Sequence, residues 1–398
     1  MKILHITQQL VGGGVTNVVL NILNEFWRIG IENVLVTFSM PLPKYLKFLK
    51  KVVSNFYSIG MTSFSSSTSY LHIMSSLAKV HEIITKEKPE AIIIQPGWLS
   101  LFSKAIPEDT PTSIVVHGTY KNEIKFMKYH PLCGIEKLKY MLGIRISHKN
   151  EMLQLFTASR KKNIRIIAVS KNTKKELVAE GIPESKVFSI LNGVDKERFK
   201  PMNKDFAKTM VEELFRIRLR NKVLLHVNPG PIKGTHILIK AFAILKRIYE
   251  EDLTLLIVGR LGPKTYREYV EKLIRSLDLE GNVVMLGYVE NEKLPILYNA
   301  ADLTVVPSYS EGGPLITPES LACGTPVIAT DVGGNPEYLN LVHLNELLIS
   351  IDSYDFSHAL ACKCVLGMSR DYHVNHAFIP SWKDVVRSLI NIVNKITI

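Results

Sequence analysis

Cysteine is scarce: Cys133, Cys323, Cys362 and Cys364 are the only four in 398 residues. Their spacing matches neither a zinc site nor a paired disulfide framework, and Cys362-x-Cys364 lacks the further partners of a metal or redox pair. Reduced thiols of this kind point to the cytosol. Long apolar runs are missing too, since none approaches the roughly eighteen uncharged residues of a bilayer-crossing helix. The opening MKILHITQQL reaches Gly12 too early for the apolar core of a secretion signal and reads as a first strand. No Asp-x-Asp pair occurs anywhere, which removes the usual carboxylate cage for a divalent cation, so neither metal nor cofactor is expected. Acids are thin in the first half. Residues 1–200 hold 28 Lys+Arg against 15 Asp+Glu, and residues 201–398 hold 21 against 22, so the positive excess is entirely N-terminal. Most of it falls in 121–175, where fourteen basic residues face Glu123, Glu136 and Glu151, a patch that attracts a polyanion.

What is present reads as α/β. A chain of this length, 46% hydrophobic and 22% charged, is a globular protein too long for one ordinary core and fits two domains. Lys2 to Ile6 forms a strand, Gly12-Gly13-Gly14 a turn, and Val15, Val18, Val19, Ile22, Leu23 and Phe26 the stripe of a helix. Such a turn lets backbone approach a phosphate, and it is equally a tight turn with no ligand. It is not G-x-G-x-x-G, and the next strand, 34–38, ends without an acid for a ribose, which argues against NAD. Residues 42–56 predict an amphipathic helix that fits inward packing and a membrane surface equally. The serine-rich run 58–70 reads as a loop. Segments 90–95 and 112–117 are apolar enough for buried parallel strands, the second ending at His117 on the edge where ligands collect; a lone histidine there is more often structural than catalytic.

In the second half the strand 223–227 runs into Asn228-Pro-Gly-Pro-Ile-Lys233-Gly234 and a helix, which places a lysine where it can neutralise a diphosphate. Strand 303–306 ends at Pro307-Ser308, and a loop with Glu311, Gly312, Gly313, Pro314 and Leu315 leads to a helix start predicted at Thr317, with Thr317 as N-cap and Pro318 in the first position. In a parallel sheet such a helix start faces ligand, and a carboxylate beside phosphate is tolerable if it accepts hydrogen bonds from sugar hydroxyls. Glu319 and Glu311 would serve two polyols. Taken alone, Glu319 reads more readily as an ordinary helix-start acid and Glu311 as a solvated loop acid. The run MNKDFAKTM after Pro201 suits a linker, residues 340–380 look irregular, and 381–393 form an amphipathic helix.

The string ADLTVVPSYSEGGPLITPESLACGTPVIATDVGGNPEYL, with Glu311 and Glu319 separated by seven residues, resembles the retaining glycosyltransferases of family four, whose two-domain fold is called GT-B. The passage VFSILNGVDKERFKP, residues 187–201, resembles that family's approach to its interdomain hinge. The resemblance implies two Rossmann-like domains facing each other across a cleft: 1–200 on the acceptor side, 201–381 binding nucleotide sugar, and a helix in 382–398 returning to the first domain. It implies retaining, metal-independent transfer from a nucleotide diphosphate sugar to an acceptor that is lipid-linked or a cell-surface glycan precursor. Glu319 then holds the ribose, Glu311 and His117 contact the donor sugar, and Lys233 takes the leaving diphosphate. Gly13 and Gly14 lie near the donor phosphates, and Gly312, Gly313, Pro314 and Leu315 line the donor. The chain departs from the family at Asn228, where an arginine is usual, and Arg260 is a candidate substitute. That departure keeps a sugar-nucleotide binding or scaffold protein open, beside a sugar-nucleotide epimerase. Because many relatives act on lipid-linked acceptors at the cytosolic face, the basic patch is read as a contact with an anionic membrane, which makes the protein cytoplasmic and peripheral at the inner face. Nucleic acid is disfavoured, as no recognised binding module is present.

Overall fold

The structure, a computed structural model, describes residues 1–8, 10–60, 70–127, 131, 134–352 and 355–395. Cys133 and most of the serine-rich run lie outside the described residues. The chain divides into two compact units, the first comprising 1–120, 145–192 and 382–398, the second 121–144 and 193–381.

Unit 1 is built on strands β1 (Lys2–Thr7), β2 (Glu32–Thr37), β3 (Asn55–Ser58), β4 (Ala91–Gln95), β5 (Thr112–Val116), β6 (Ile164–Ala168) and β7 (Val187–Ser189). They form one parallel sheet in the order β3-β2-β1-β4-β5-β6-β7. β4 and β5 are buried along their whole length because helices cover both faces of a parallel sheet, which is why they read as unbroken apolar runs. The helix Gly14–Arg28 buries the predicted stripe of Val18, Val19, Ile22, Leu23 and Phe26. The C-terminal helix Trp382–Asn394 belongs to this unit and packs against it with Trp382, Val385, Val386 and Leu389 inward.

Unit 2 carries β8 (Lys222–Val227), β9 (Leu253–Val258), β10 (Val283–Gly287), β11 (Leu303–Val306), β12 (Val327–Thr330) and β13 (Leu348–Ile349), all parallel, in the order β10-β9-β8-β11-β12-β13. In each sheet strand order reverses once, between β1 and β4 and between β8 and β11. Those reversals are the points at which successive helices leave to opposite faces and a crevice opens beyond the carboxyl ends.

Three local expectations need correction. The amphipathic segment stops at Val52, and Asn55–Ser58 is edge strand β3, its pairing with β2 outweighing helical periodicity. The supposed linker after Pro201 is the helix Lys204–Phe215, because Asn203 accepts a hydrogen bond from the Phe206 N–H (2.9 Å) as its cap and Ala207 and Val211 are buried. The stretch read as irregular contains the helix Phe356–Met368, whose Gly367 lies against Leu303 and Ile328.

Candidate active site

At the reversal between β8 and β11, the loops after the two strands carry Lys233 and Glu311. Asn228, the first residue after β8, takes a left-handed conformation (φ 59°), and its N–H donates to the Val258 carbonyl at 2.7 Å. The chain then turns tightly, with the Lys233 N–H donating to the Gly230 carbonyl (3.2 Å) and the Gly234 N–H to that of Pro231 (3.1 Å). Gly234 sits at φ 69°, and a Cβ there would stand 2.1 Å from the Pro307 carbonyl oxygen. The loop after β8 therefore lies directly on the loop after β11, a closeness only glycine permits. The Tyr309 N–H donates to the Ile232 carbonyl (2.8 Å) and ties the two loops together.

This contact brings Lys233 and Glu311 into one cluster. Lys233 Nζ lies 2.7 Å from Glu311 Oε1, and Ser308 Oγ donates to the same oxygen at 2.7 Å. The carboxylate is 8% exposed and the ammonium 22%, so the pair is largely out of water yet reachable. Gly312 and Gly313 continue toward Pro314 and Leu315, and Gly333 (φ 57°) passes so close that a Cβ would stand 2.5 Å from the Glu311 carbonyl oxygen. The Gly334 N–H donates to the Gly312 carbonyl (2.8 Å), which fixes this loop from the far side.

The helix after the loop begins earlier than expected. It spans Ile316–Ala322 with Leu315 at its cap, and Thr317 is no N-cap: its hydroxyl is buried and donates to Asn335 Oδ1 at 2.7 Å. Glu319 stays in the first turn, where its Oε2 accepts from the Tyr298 hydroxyl (2.9 Å). Burial pushes the Glu319 carboxyl up to about 7, against the opposing pull of that hydrogen bond and of the Arg198 charge. Arg260 is exposed and its guanidinium lies 5.6 Å from the centroid of the Tyr288 ring.

In unit 1, Gly12 and Gly13 both take left-handed conformations (φ 114° and 86°), Gly13 caps the helix that Gly14 begins, and a Cβ on Gly13 or Gly14 would meet nothing within 4 Å. His117 follows β5, with Nε2 3.3 Å from Gln95 Oε1. Burial lowers its imidazole to about 4, which favours the neutral ring. Among the described residues there is no group of three or more His, Cys, Asp or Glu that could hold a metal ion.

Sequence reasoning singled out Lys233, Glu311 and Glu319 and missed Ser308, Tyr298 and Arg198. Ser308 stands at a strand end three residues before Glu311, which is a weak signal. Tyr298 and Arg198 reach Glu319 from 21 and 121 positions earlier in the sequence, and no local pattern announces them.

Two open parallel sheets, each clad in helices and each with one order reversal, define the GT-B class. The family profile described as Glycosyltransferase Family 4 matches residues 12–198, and that described as Glycosyl transferases group 1 matches residues 215–354. The chain belongs to this glycosyltransferase family. An uncharacterized glycosyltransferase of Methanocaldococcus jannaschii is 32% identical over 176 residues, 44% of each chain. Across the curated relatives compared, the match spans less than half of each relative's length. A Rickettsia africae glycosyltransferase structure superposes with a TM-score of 0.72 at 21% identity, covering 99% of this chain and 98% of that one. The Anabaena protein HepE in complex with UDP gives 0.68 at 20%, covering 100% and 97%.

Proposed function

We propose that the protein transfers a sugar from a nucleotide diphosphate sugar to an acceptor hydroxyl with retention at the anomeric carbon. The observation that carries this is the Lys233–Glu311–Ser308 cluster at the β8–β11 reversal, with Glu319 on the adjoining helix turn. As the bond from the anomeric carbon to the diphosphate breaks, its electron pair moves to the phosphate oxygen, and the Lys233 ammonium stabilises that charge. The acceptor hydroxyl attacks from the face the diphosphate leaves, and its proton passes to the departing phosphate oxygen, so no protein base is required. Glu311 accepts from a donor-sugar hydroxyl. In unit 1, His117 is proposed as a neutral hydrogen-bonding group for a sugar and the backbone of Gly13 and Gly14 as a phosphate contact. Gly312 to Leu315 line the donor. The UDP held by the HepE relative makes a uridine nucleotide the first donor to try.

Glu319 should hold the ribose hydroxyls, which both donate to it most strongly when it is a carboxylate. Because burial holds its proton to about pH 7, nucleotide affinity is expected to rise several-fold between pH 6 and 8. Glu319→Gln should flatten that rise, and a wild-type affinity unchanged across this range would remove Glu319 from the ribose.

A second reading, a sugar-nucleotide binding protein without transfer, is favoured by Asn228, which leaves Lys233 without the arginine usual in the family. Arg260, whose guanidinium lies 5.6 Å from the Tyr288 ring centroid, is the candidate to replace it. Product formation from a donor screen separates the two readings, and the anomeric coupling constant of the product tests retention.

The partner in unit 1 is proposed to be an anionic membrane surface at the inner face, where a lipid-linked acceptor is presented. Part of the helix Gly134–Ser159 supports this: Ile146, Leu153 and Phe156 are exposed, Leu153 by 64%, while Met152, Leu155 and Ala158 on the other face are buried. Arg145 and Lys149 flank the exposed apolar residues, and Arg160 stacks on Phe156 (4.8 Å). Vesicles containing about one-third anionic lipid should bind the protein at low salt, and Ile146→Glu with Leu153→Glu should weaken that binding at least tenfold. Equal binding by the double variant, or binding to RNA alone, would contradict the membrane reading.

A further inference from the structure

A histidine sits inside the β8 strand directly beneath the Lys233 turn, where an apolar residue would pack as well. The β8–β11 pairing ends at Leu225 and Thr304, and at the next step the His226 side chain bridges the opening instead of the backbone. Its Nδ1 lies 3.0 Å from the Val305 carbonyl oxygen and its Nε2 2.9 Å from Thr235 Oγ1. A carbonyl can only accept, so Nδ1 carries the proton and Nε2 offers a lone pair to the Thr235 hydroxyl. That hydroxyl oxygen in turn accepts the Gly230 N–H at 2.9 Å, and the alternative in which the hydroxyl donates to the Gly230 carbonyl is longer, at 3.3 Å. The directions are therefore fixed from end to end: Gly230 N–H to Thr235, Thr235 O–H to His226, His226 N–H to Val305.

His226 is 2% exposed and Thr235 fully buried, so neither can exchange these partners for water. Burial lowers the imidazole to about 4, against the opposing pull of the Val305 hydrogen bond, which keeps the ring neutral as the chain of bonds requires. The Tyr266 hydroxyl also interacts with the Thr235 side chain and lies 3.1 Å from His236 Nδ1. Gly230 is also the residue whose carbonyl receives the Lys233 N–H, so the chain of bonds ends on the turn that carries the ammonium.

We infer that His226 and Thr235 are positioning residues of the donor site, holding the Gly230–Lys233 turn in the shape that aims the Lys233 ammonium at a diphosphate. This rests on the donor reading above and extends it to two residues that touch no substrate. It also supplies order where the chain lacks the family's second cation: with one charge doing the work of two, misplacement of that charge costs more.

The test compares the full chain with Thr235→Val, Thr235→Ser and His226→Phe. Without nucleotide, NMR should show His226 as the Nδ1–H tautomer and the Gly230 amide protected from hydrogen exchange. Thr235→Val and His226→Phe should speed that exchange at least tenfold, and Thr235→Ser should restore it. With nucleotide, the readout is the ratio of UDP to uridine affinity, repeated with ADP and GDP and their nucleosides. Thr235→Val and His226→Phe should weaken the diphosphate about tenfold and leave the nucleoside unchanged, with Thr235→Ser close to wild type. An unprotected Gly230 amide in the wild type would overturn the relay. A variant that loses the relay yet binds diphosphate as wild type would overturn its positioning role. Wild type that shows the relay and binds no diphosphate would overturn the donor reading and the role with it.

Discussion

Lys233→Ala is expected to lower kcat/KM for sugar transfer by about 10²–10³-fold, the loss typical when one preorganised group facing transition-state charge is removed. The reason lies in how few such groups there are. On the proposed donor site, Asn228 stands where the family resemblance implies a second cation, which leaves Lys233, 2.7 Å from Glu311, as the cation proposed for the leaving diphosphate. Its partner gives a result of opposite sign in binding. In the donor-free protein Glu311 holds the ammonium at 2.7 Å, and a diphosphate must compete with that carboxylate. Glu311→Gln should therefore bind free nucleotide diphosphate as tightly as wild type or several-fold more tightly, while transfer falls by about 10²-fold because the hydroxyl acceptor for the donor sugar is weakened. Steady-state kinetics with calorimetry on both variants reads the split. Parallel losses in binding and turnover for Glu311→Gln would show that the pair is only a structural salt bridge.

Gly234→Ala is expected to destabilise unit 2 by about 3 kcal/mol or more, seen as a fall of about 6–12 °C in its thermal transition. Two effects add. The residue sits at φ 69°, where any L side chain is disfavoured, and the new Cβ would stand 2.1 Å from the Pro307 carbonyl oxygen. Both partners are backbone, so no side chain can swing aside, and the two loops must separate, carrying Lys233 away from Glu311. Gly14→Ala is the control. Gly14 has nothing within 4 Å of a Cβ and is the first residue of its helix, so that change should stay within about 0.5 kcal/mol of wild type. A Gly234→Ala transition within one or two degrees of wild type would mean that the loops do not touch as described.

The parts of this molecule legible in its sequence are those with a local cause. β4 reads as AIIIQ because both its faces are covered, the Gly14–Arg28 stripe shows because one face is buried, and Lys233 stands out because glycine and proline surround it. Glu311 and Glu319 were visible through their spacing, but what holds them was not. Gly333 supports the Glu311 loop from 22 positions later and Tyr298 meets Glu319 from 21 positions earlier, contacts set by sheet order rather than by any local pattern. The helix Phe356–Met368 escaped notice because FSHALACKCVLGM is apolar on most sides and has no polar stripe to mark its period. Thr317 misled for a related reason: a threonine before proline and glutamate fits a cap, but its buried hydroxyl is committed to Asn335. His226 carries no sequence signal, since a histidine in an apolar strand announces neither its tautomer nor its partners.

The most direct measurement is a crystal structure of the protein soaked with the nucleotide diphosphate that binds best among UDP, ADP and GDP. The expected density places the diphosphate beyond the carboxyl ends of β8 and β11, with Lys233 Nζ within hydrogen-bonding distance of a phosphate oxygen and both ribose hydroxyls donating to Glu319. Nucleotide bound elsewhere, with Lys233 still paired to Glu311 and Glu319 untouched, would contradict the donor site and the transfer chemistry built on it.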